Sequence, residues 1–409
     1  MSFSPPRSLW AGRTLALVGI ILVAFTLRTA VAGLSPIVGE ISADIPLTAT
    51  AIGVLGMLPP VCFAFFGIFT PVYTRRLGLE NVLVLALTAM LIGHLTRGLA
   101  GSLTVLMIGS VVTFAGLGVG NVLLPPLVKK YFPDRIGLVT SLYVTMLSLS
   151  TLFPPLIAVP VADAAGWRVS LGLWVLPVLI ALVPWVTMFV RHRVQLTPGT
   201  VVEEAEPALV GRIWGSSIAW ALAVVFATSS LNAYAMFAWL PQLLIDTAGV
   251  TPAQAGTLLS VYAAMGIPCA LLIPWLTARM KNVAGLVYLG AAVFLIGDLG
   301  LLLAPGTLTW LWVVLAGLGP LLFPLVLVLI NLRTRTHAGS VALSGFVQSV
   351  GYTLGALGPL SVALLHEVTG GWTAPLLFLI GTALAVTVAG AVIARPHLLE
   401  DDLERRHRL

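Results

Sequence analysis

The chain has 409 residues, of which 59% are hydrophobic and only 9% are charged, and its mean hydropathy is +1.06. So little polar surface excludes a water-soluble protein and is typical of a polytopic membrane protein. The formal net charge of +6 comes from basic residues between the apolar runs, so it gives no support to nucleic-acid binding.

The apolar runs are about 20 residues long, which is the length of a helix across a hydrocarbon core of about 30 Å. They are too long for the strands of a membrane barrel, which have about 10 residues. The sequence therefore predicts an all-α protein with twelve transmembrane helices. In chain order, the predicted spans are 14–37, 50–72, 81–100, 103–128, 138–160, 169–190, 214–241, 254–276, 283–304, 307–331, 340–364 and 375–394.

The charges of the predicted loops indicate the topology. One side carries almost all of the basic residues: Arg7, Arg13, Arg75, Arg76, Lys129, Lys130, Arg135, Arg191, Arg193, Arg212, Arg279, Lys281, Arg333, Arg335 and the tail from 395 to 408. The opposite loops carry Glu40, Asp44, Asp163, Asp246 and Glu367 against a single basic residue, Arg168. By the positive-inside rule the basic side is cytoplasmic. We therefore expect both termini in the cytoplasm and the chain in a bacterial inner membrane.

Short motifs recur in the same order in the two halves of the chain. "LIGHL" at 91–95 and "LIGDL" at 295–299 each follow an Asn-Val pair, and Gly-Trp stands before the last span of each half, at 166–167 and 371–372. His94 and Asp298 are therefore counterparts. The repeat predicts two six-helix halves, 1–190 and 214–409, joined by a cytoplasmic linker at 191–213. Such halves commonly hold a substrate site between them near the bilayer midplane.

Several stretches resemble a known family. These are "LR" at 27–28 with "SPIVGEI" at 35–41, "GNVLLPPLVKKYFPDRIGLVTSLY" at 120–143, "GWRVSLGLW" at 166–174 and "WLPQLL" at 239–244. They resemble the cyanate and 2-nitroimidazole porter family of the major facilitator superfamily over nearly the whole chain. The resemblance implies a fold of two pseudo-symmetric six-helix halves. It also implies secondary active transport of a small anionic or strongly dipolar solute by alternating access. We expect the chain to act as a monomer in the lipid bilayer.

Two stretches depart from the superfamily's patterns. "TRRLGLE" at 74–80 has Arg75 where the usual loop has an acidic residue, so a charge latch in this loop is in doubt. "LVTSLYVTMLSLSTLFPPL" at 138–156 contains no glycine, although drug–proton antiporters have a glycine-rich fifth span. These departures favour a dedicated small-solute porter. The alternative is a proton-coupled multidrug or metabolite efflux transporter.

Arg28 lies inside the first apolar run, where an arginine deep in hydrocarbon costs at least about 2.5–3.5 kcal/mol on insertion scales. Its side chain must therefore face protein or water. One interpretation is structural, with Arg28 paired to an acid or to backbone carbonyls. However, the carboxylate within a predicted span is Asp298, on the ninth helix, and in the resembled fold that helix flanks the bundle whereas the first lines the cavity. We therefore expect Arg28 to bind the substrate through its planar fork of donors.

Other polar and aromatic residues on apolar helices are candidates for the same site, with ordinary packing or helix–helix hydrogen bonding as the competing interpretation. The seventh span contributes three of them before a break expected at Pro241, which frees a backbone carbonyl. The candidate substrate-binding residues besides Arg28 are Asn121, Tyr143, Asn232, Tyr234, Trp239, Tyr262, Gln348 and Tyr352.

His94 and Asp298 are candidate carriers for a co-transported proton, because burial can bring the pKa of such groups toward physiological pH. Their helices are scaffold helices in the resembled fold, which makes a structural role the competing interpretation. No clustered metal-ligand spacing and no nucleophile beside a base is evident, so we expect no enzyme, no metal and no cofactor. A sensor on a transporter scaffold would carry an added soluble domain, which the short linker and tail do not provide.

Overall fold

The computed structural model describes residues 13–191, 213–280, 282–395 and 398–402. Within these ranges the chain is helical and contains no strand. The predicted linker at 191–213 falls almost entirely outside the described residues, as do the first twelve residues. The exact boundaries of the two halves therefore stay a prediction.

The helices follow the predicted spans closely. In the first half they are Thr14–Thr26 with Val38–Asp44, Ala49–Leu77, Leu79–Gly98, Leu103–Tyr131, Ile136–Ala165, and Trp167–Gly172 with Val175–Arg191. In the second half they are Ser217–Ala248, Pro252–Ala264 with Gly266–Arg279, Ala284–Leu303, Thr309–Leu318 with Leu322–Leu332, His337–Thr369 and Thr373–Ile393. We number these twelve spans from first to twelfth.

Ten of the spans, judged on the described residues, are long and apolar enough to cross a membrane. The other two are the first span, whose opening helix has only 13 residues, and the eleventh, a 33-residue helix of about 50 Å. The predicted all-helical, twelve-span architecture is confirmed.

Five of these spans begin at a serine or threonine whose side chain accepts a hydrogen bond from a backbone N–H of the first turn. These capping residues are Thr48, Ser102, Ser216, Thr251 and Thr336.

The first span differs from the prediction, which was a continuous segment over 14–37. Its helix ends at Thr26, residues 27–34 form turns and bends, and a 3-10 turn at Ser35–Ile37 leads into Val38–Asp44. Pro36 helps to explain the break, because a residue before proline is disfavoured in the helical conformation. Hydrophobicity located this span correctly but carried no information about its continuity. We call residues 27–34 the unwound segment.

The seventh span also differs from the prediction, because it is continuous where a break was expected. A break was predicted at Pro241, but the helix continues through it to Ala248. The proline still removes one backbone donor, and the carbonyl four residues earlier, that of Phe237, accepts a hydrogen bond from Ser35 Oγ at 2.6 Å. The freed carbonyl was thus predicted correctly, and its partner from the first span explains why the helix does not need to end.

The two sides of the molecule are held together differently. We call the side with residue 13 and residues 398–402 the terminal side, and the other the distal side. On the distal side, hydrogen bonds join the two halves: Ser35 to Phe237, Thr50 Oγ1 to Glu367 Oε2 at 2.6 Å and, deeper, Ser260 Oγ to the carbonyl of Leu152 at 3.0 Å. Gly53 and Gly56 allow the second span to approach the eleventh closely, because a Cβ at either position would collide with it. The distal side is therefore closed.

Among the described residues, the ion pairs of the terminal side lie within one half or the other. Arg13 binds Asp134 at 2.6 Å in the first half, and this hydrogen bond holds the pKa of Asp134 below its usual range. Arg335 binds Asp401 at 2.6 Å in the second half. The loop with Arg75 also contributes an ion pair, since Glu80 accepts from Lys130 at 2.6 Å. These contacts stabilise each half without joining it to the other.

The internal repeat reappears as matched contacts. The indole of Trp167 donates to Asp44 at 3.0 Å, and the indole of Trp372 donates to Asp246 at the same distance. Each pair ties the last span of a half to the distal end of that half's first span. The Gly-Trp motifs therefore have a structural role, and their matching contacts show which helix ends of the two halves correspond.

Candidate functional site

The unwound segment is the least regular backbone within the described spans. Two threonine hydroxyls near its start donate to carbonyls at the end of the preceding helix: Thr26 Oγ1 to Val23 at 2.7 Å, and Thr29 Oγ1 to Thr26 at 3.0 Å. Non-helical backbone at membrane depth is tolerated where protein or a water-filled cavity surrounds it. The segment therefore interrupts the packed helices at membrane depth. Discontinuous helices of this kind form substrate sites in transporters.

Arg28 is the second residue of this segment, and its side chain is partly buried. Its guanidinium carbon lies 5.2 Å from the centroid of the Phe63 ring on the second span, a cation–π contact. Tyr234 of the seventh span and Tyr352 of the eleventh are its electrostatic neighbours. The Tyr234 side chain packs against the apolar core of the first half. Arg28 therefore lies where the two halves meet.

The guanidinium of Arg28 has no anionic partner in the part of the chain that the structure describes. It forms no ion pair and no side-chain hydrogen bond there, and it lies against the π face of Phe63. The structural interpretation, in which an acid or backbone carbonyls would hold this side chain, has no support in these contacts. Its five donors are available to a ligand.

Two other predicted residues lie on helices that face this region but bond locally. Asn121 Nδ2 donates to the carbonyl of Leu117 at 3.0 Å, within its own helix. Gln348 Nε2 donates to Ser344 Oγ at 2.7 Å, one turn away on the eleventh span. The ring of Tyr143 is buried in the core of the first half. The two amides thus each use one donor within their own helix, and the described contacts do not link any of the three side chains to Arg28.

Three predicted residues of the second half are engaged by packing. Asn232 is fully buried, and its amide donates to Thr382 Oγ1 on the twelfth span at 2.9 Å. Trp239 donates to the carbonyl of Pro359 at 3.0 Å. Tyr262 is 2% exposed, with its ring edge-on to Phe237 at 5.6 Å. Asn232 points to a scaffold helix, so the proposed site below does not include it.

The two candidate proton carriers are both fully buried. The carboxylate oxygens of Asp298 and the hydroxyl of Tyr262 are electrostatic neighbours, and none of them has a hydrogen-bond partner among the described residues. His94 lies one turn before Arg97 on the third span and close to the backbone of Leu171. Buried polar groups are normally paired. Asp298 and Tyr262 are therefore unsatisfied neighbours inside the second half, and both ring nitrogens of His94 in the first half likewise have no hydrogen-bond partner among the described residues.

Sequence reasoning missed two residues of this region. Phe63 gave no signal, because a phenylalanine in an apolar span is ordinary. Ser35 precedes Pro36 in the quoted stretch "SPIVGEI", and a serine before a proline in a span could have indicated a non-helical segment with a free hydroxyl. Within the described ranges, no group of three or more His, Cys, Asp or Glu residues is arranged to hold a metal ion.

Comparisons with known proteins agree with this architecture. The sequence pattern of the Major Facilitator Superfamily matches residues 20–359. The transporter YycB of Bacillus subtilis is 33% identical over 95% of this chain and 96% of its own. The 2-nitroimidazole transporter of Escherichia coli is 31% identical over 94% and 96%, and the cyanate transport protein CynX of the same organism is 24% identical over 93% and 98%.

A solved structure shares the fold. It is a bacterial homolog of the human lysosomal transporter Spinster in an inward-facing, unoccupied conformation, with a TM-score of 0.70 over 96% of each chain and 15% sequence identity. The paired halves, the broken first span and relatives that match almost end to end lead to one assignment: the chain is a multi-pass membrane protein of the major facilitator superfamily and belongs to its cyanate and 2-nitroimidazole porter family.

Proposed function

We propose that this protein is a secondary active transporter that moves a small anionic or strongly dipolar solute, such as a cyanate-like anion or a nitroimidazole-like compound, across the bacterial inner membrane. The observation that carries the proposal is the position of Arg28. Its guanidinium lies between the halves without an anionic partner in the described chain, against the ring of Phe63. A partly buried cation in this situation favours an anion or the negative end of a strong dipole.

The chemistry of the neighbours fits such a ligand. A guanidinium presents its donors in a plane, so it can bind a nitro group or a carboxylate-like anion through two parallel hydrogen bonds. The face of Phe63 restrains that plane without competing for its donors. The phenol groups of Tyr234 and Tyr352, from the second half, can donate further hydrogen bonds to the same ligand. The ligand would thus contact both halves.

Contact with both halves supports transport by alternating access. The distal hydrogen bonds, such as Ser35 to Phe237, must break before a solute can reach Arg28 from the distal side. By the positive-inside rule the terminal side is cytoplasmic, and the described conformation is then closed to the outside. A ligand shifts the balance between conformations only by its differential affinity for them, which a site shared between two moving halves provides.

The relatives support the substrate class and the assignment to transport rather than to an enzyme or a sensor. Two of them are named for 2-nitroimidazole and for cyanate, which are a dipolar heterocycle and a small anion. We propose that the present chain acts on a solute of this kind as a monomer. Proton-coupled efflux of drugs or metabolites is the second candidate, and the unsatisfied carboxyl of Asp298 is the observation that favours proton coupling.

Uptake by reconstituted protein tests the proposal. Proteoliposomes with the wild type should accumulate radiolabelled cyanate or 2-nitroimidazole above empty liposomes, and Arg28→Gln should abolish this uptake. Arg279→Gln is the matched control, because Arg279 also contacts an aromatic ring, at 4.1 Å from Trp275, but is exposed on the terminal side. Equal uptake by wild type and Arg28→Gln, or no uptake of any solute of this class by the wild type, would contradict the proposal.

A further inference from the structure

A second buried cation lies on the distal side of Arg28. Arg97 is the penultimate residue of the third span and is only 2% exposed. Its aliphatic stem crosses Gly109 of the fourth span, where an added Cβ would lie 3.0 Å from Arg97 Cγ. Its guanidinium carbon lies 5.8 Å from the centroid of the Phe114 ring. The glycine therefore gives this arginine room to lie inside the bundle.

The charge of Arg97 has no counterion among the residues that the structure describes. Its Nε is buried without a hydrogen-bond partner, and the side chain takes part in no described ion pair. The carboxylate of Asp44, which also lies on the distal side, is bound to Arg168 at 2.6 Å and to Trp167 at 3.0 Å. An isolated buried charge is costly, and a bound anion is one way to compensate it.

Arg97 lines a small, partly open cavity of about 30 Å³. The unwound segment supplies one wall through Ala30 and Val31, and the hydroxyl-bearing Ser110 lies on another. Phe237 and Ala238 of the seventh span close the cavity from the second half. A space of this size holds about one or two water molecules, which is also enough for a compact ion.

We propose that this cavity is a second anion site, separate from the one at Arg28, in which Arg97 binds a small monovalent inorganic anion of halide size. Because the walls come from both halves, the site exists in this form only while the distal side is closed. Anion binding therefore stabilises the closed distal side. The site goes beyond the proposed transport function, since its ligand need not be the transported solute.

Thermal unfolding of the purified full chain tests the site in the absence of any transported solute. The probe is sodium bromide, compared with sodium gluconate at equal ionic strength, because gluconate is too large for the cavity. Bromide should raise the apparent melting temperature of the wild type relative to gluconate, since a ligand of the folded state stabilises it. The same shift should remain in Arg28→Gln, and it should be lost in Arg97→Gln.

Two further variants complete the test. Arg168→Gln is the matched control, because it removes another arginine of the distal side, one that is already paired, and it should keep the bromide shift. Val31→Met fills the cavity with a flexible side chain while Arg97 stays, and it should lose the shift. The Val31→Met variant still tests the anion site if Arg97→Gln does not fold.

Three results would overturn the proposal: no bromide shift in the wild type, a shift that persists in Val31→Met, or a shift that is lost in Arg28→Gln but kept in Arg97→Gln. Failure of solute uptake together with a bromide shift specific to Arg97 would refute the proposed transport function and leave this site standing. The two proposals are therefore separable by experiment.

Discussion

The two halves of the molecule share their helix contacts but not their buried charges. The thiol of Cys62 donates to the carbonyl of Val111 at 3.9 Å, and that of Cys269 donates to Leu318 at 3.7 Å, so each joins the second span of its half to the fourth. These pairs have the same sequence separation, 49 residues. The contacts that set the distance between helices have thus been kept in both halves.

The third span of each half shows where they diverge. The first half has His94 followed one turn later by Arg97, whereas the second half has Asp298 followed by Leu301. All four side chains are at most 2% exposed. The first half therefore buries a cation at Arg97, where the second half has Leu301, and the second half buries a carboxyl at Asp298, where the first has His94. Helix packing thus restricts the residues of both halves in the same way, whereas the polar residues buried in the third span of each half can differ.

The largest expected effect concerns Arg28, which has no counterpart cation on the seventh span. Arg28→Ala and Arg28→Lys should both weaken equilibrium binding of the solute by about 10- to 100-fold, the range expected for a hydrogen bond to a charged group. Lysine keeps the charge but offers a point donor in place of a planar fork. Binding to purified protein can be measured by calorimetry with Arg279→Lys as control. Wild-type affinity in Arg28→Lys would show that charge alone suffices.

A second prediction tests whether the halves share their packing. Gly93 and Gly297 are counterparts on the third and ninth spans, and a Cβ at either would collide with the next span, at Thr113 and at Ala316. Gly93→Val and Gly297→Val should each destabilise the protein by about 1–3 kcal/mol, as overpacking does. Gly381→Ala, which meets nothing within 4 Å, is the control. Thermal unfolding would refute the shared packing if only one of the two valine variants were destabilised.

Asp298 allows a smaller but more specific test of the charge difference. If its carboxyl carries a proton for coupling, Asp298→Asn should reduce uptake driven by a pH gradient about tenfold, which corresponds to about 1.4 kcal/mol, and spare solute exchange without a gradient. Tyr262→Phe removes its neighbouring hydroxyl and should have a weaker effect in the same direction. The counterpart variant His94→Gln separates the two candidates. Gradient-driven uptake that is lost in His94→Gln and kept in Asp298→Asn would assign coupling to the first half.

The smallest effect is expected at the paired tryptophans. In the first half, Asp44 has Arg168 as a second partner, whereas Asp246 has the neutral amide of Gln242 at 2.7 Å. Trp372→Phe should therefore lower the melting temperature more than Trp167→Phe, because a charged partner compensates better for the lost indole donor. Differential scanning fluorimetry of the two variants measures this. The reverse order would show that Arg168 does not substitute for the indole.

The fold could be predicted from the sequence to a large extent because its physical causes are local. Runs of about 20 apolar residues gave the spans, and the repeated Gly-Trp motifs correctly indicated two related halves. The unwound segment was not predicted, because hydrophobicity indicates that a run spans the membrane and does not indicate whether its helix is continuous. Its conformation depends on contacts with other helices, such as that of Ser35 with Phe237.

The candidate site stays a prediction. Arg28 was chosen from the sequence because a cation in an apolar run is costly. The sequence could not indicate the contact of Asn232 with Thr382, since an amide on an apolar helix looks the same whether it faces a cavity or a threonine of a neighbouring helix. The role of Phe63 could not be predicted, because it depends on the contact of its ring with Arg28.

The broken first span has a consequence for how the protein is made. Its opening helix of 13 residues is about 20 Å long, which is too short to cross a hydrocarbon core of about 30 Å. When this segment first leaves the insertion machinery, no neighbouring span is present to satisfy the peptide groups of residues 27–34, and lipid cannot do so. We therefore expect this segment to enter the bilayer as a continuous helix. The hydrogen bond of Ser35 to the carbonyl of Phe237 can form only once the seventh span has been made, and with it more than half of the chain.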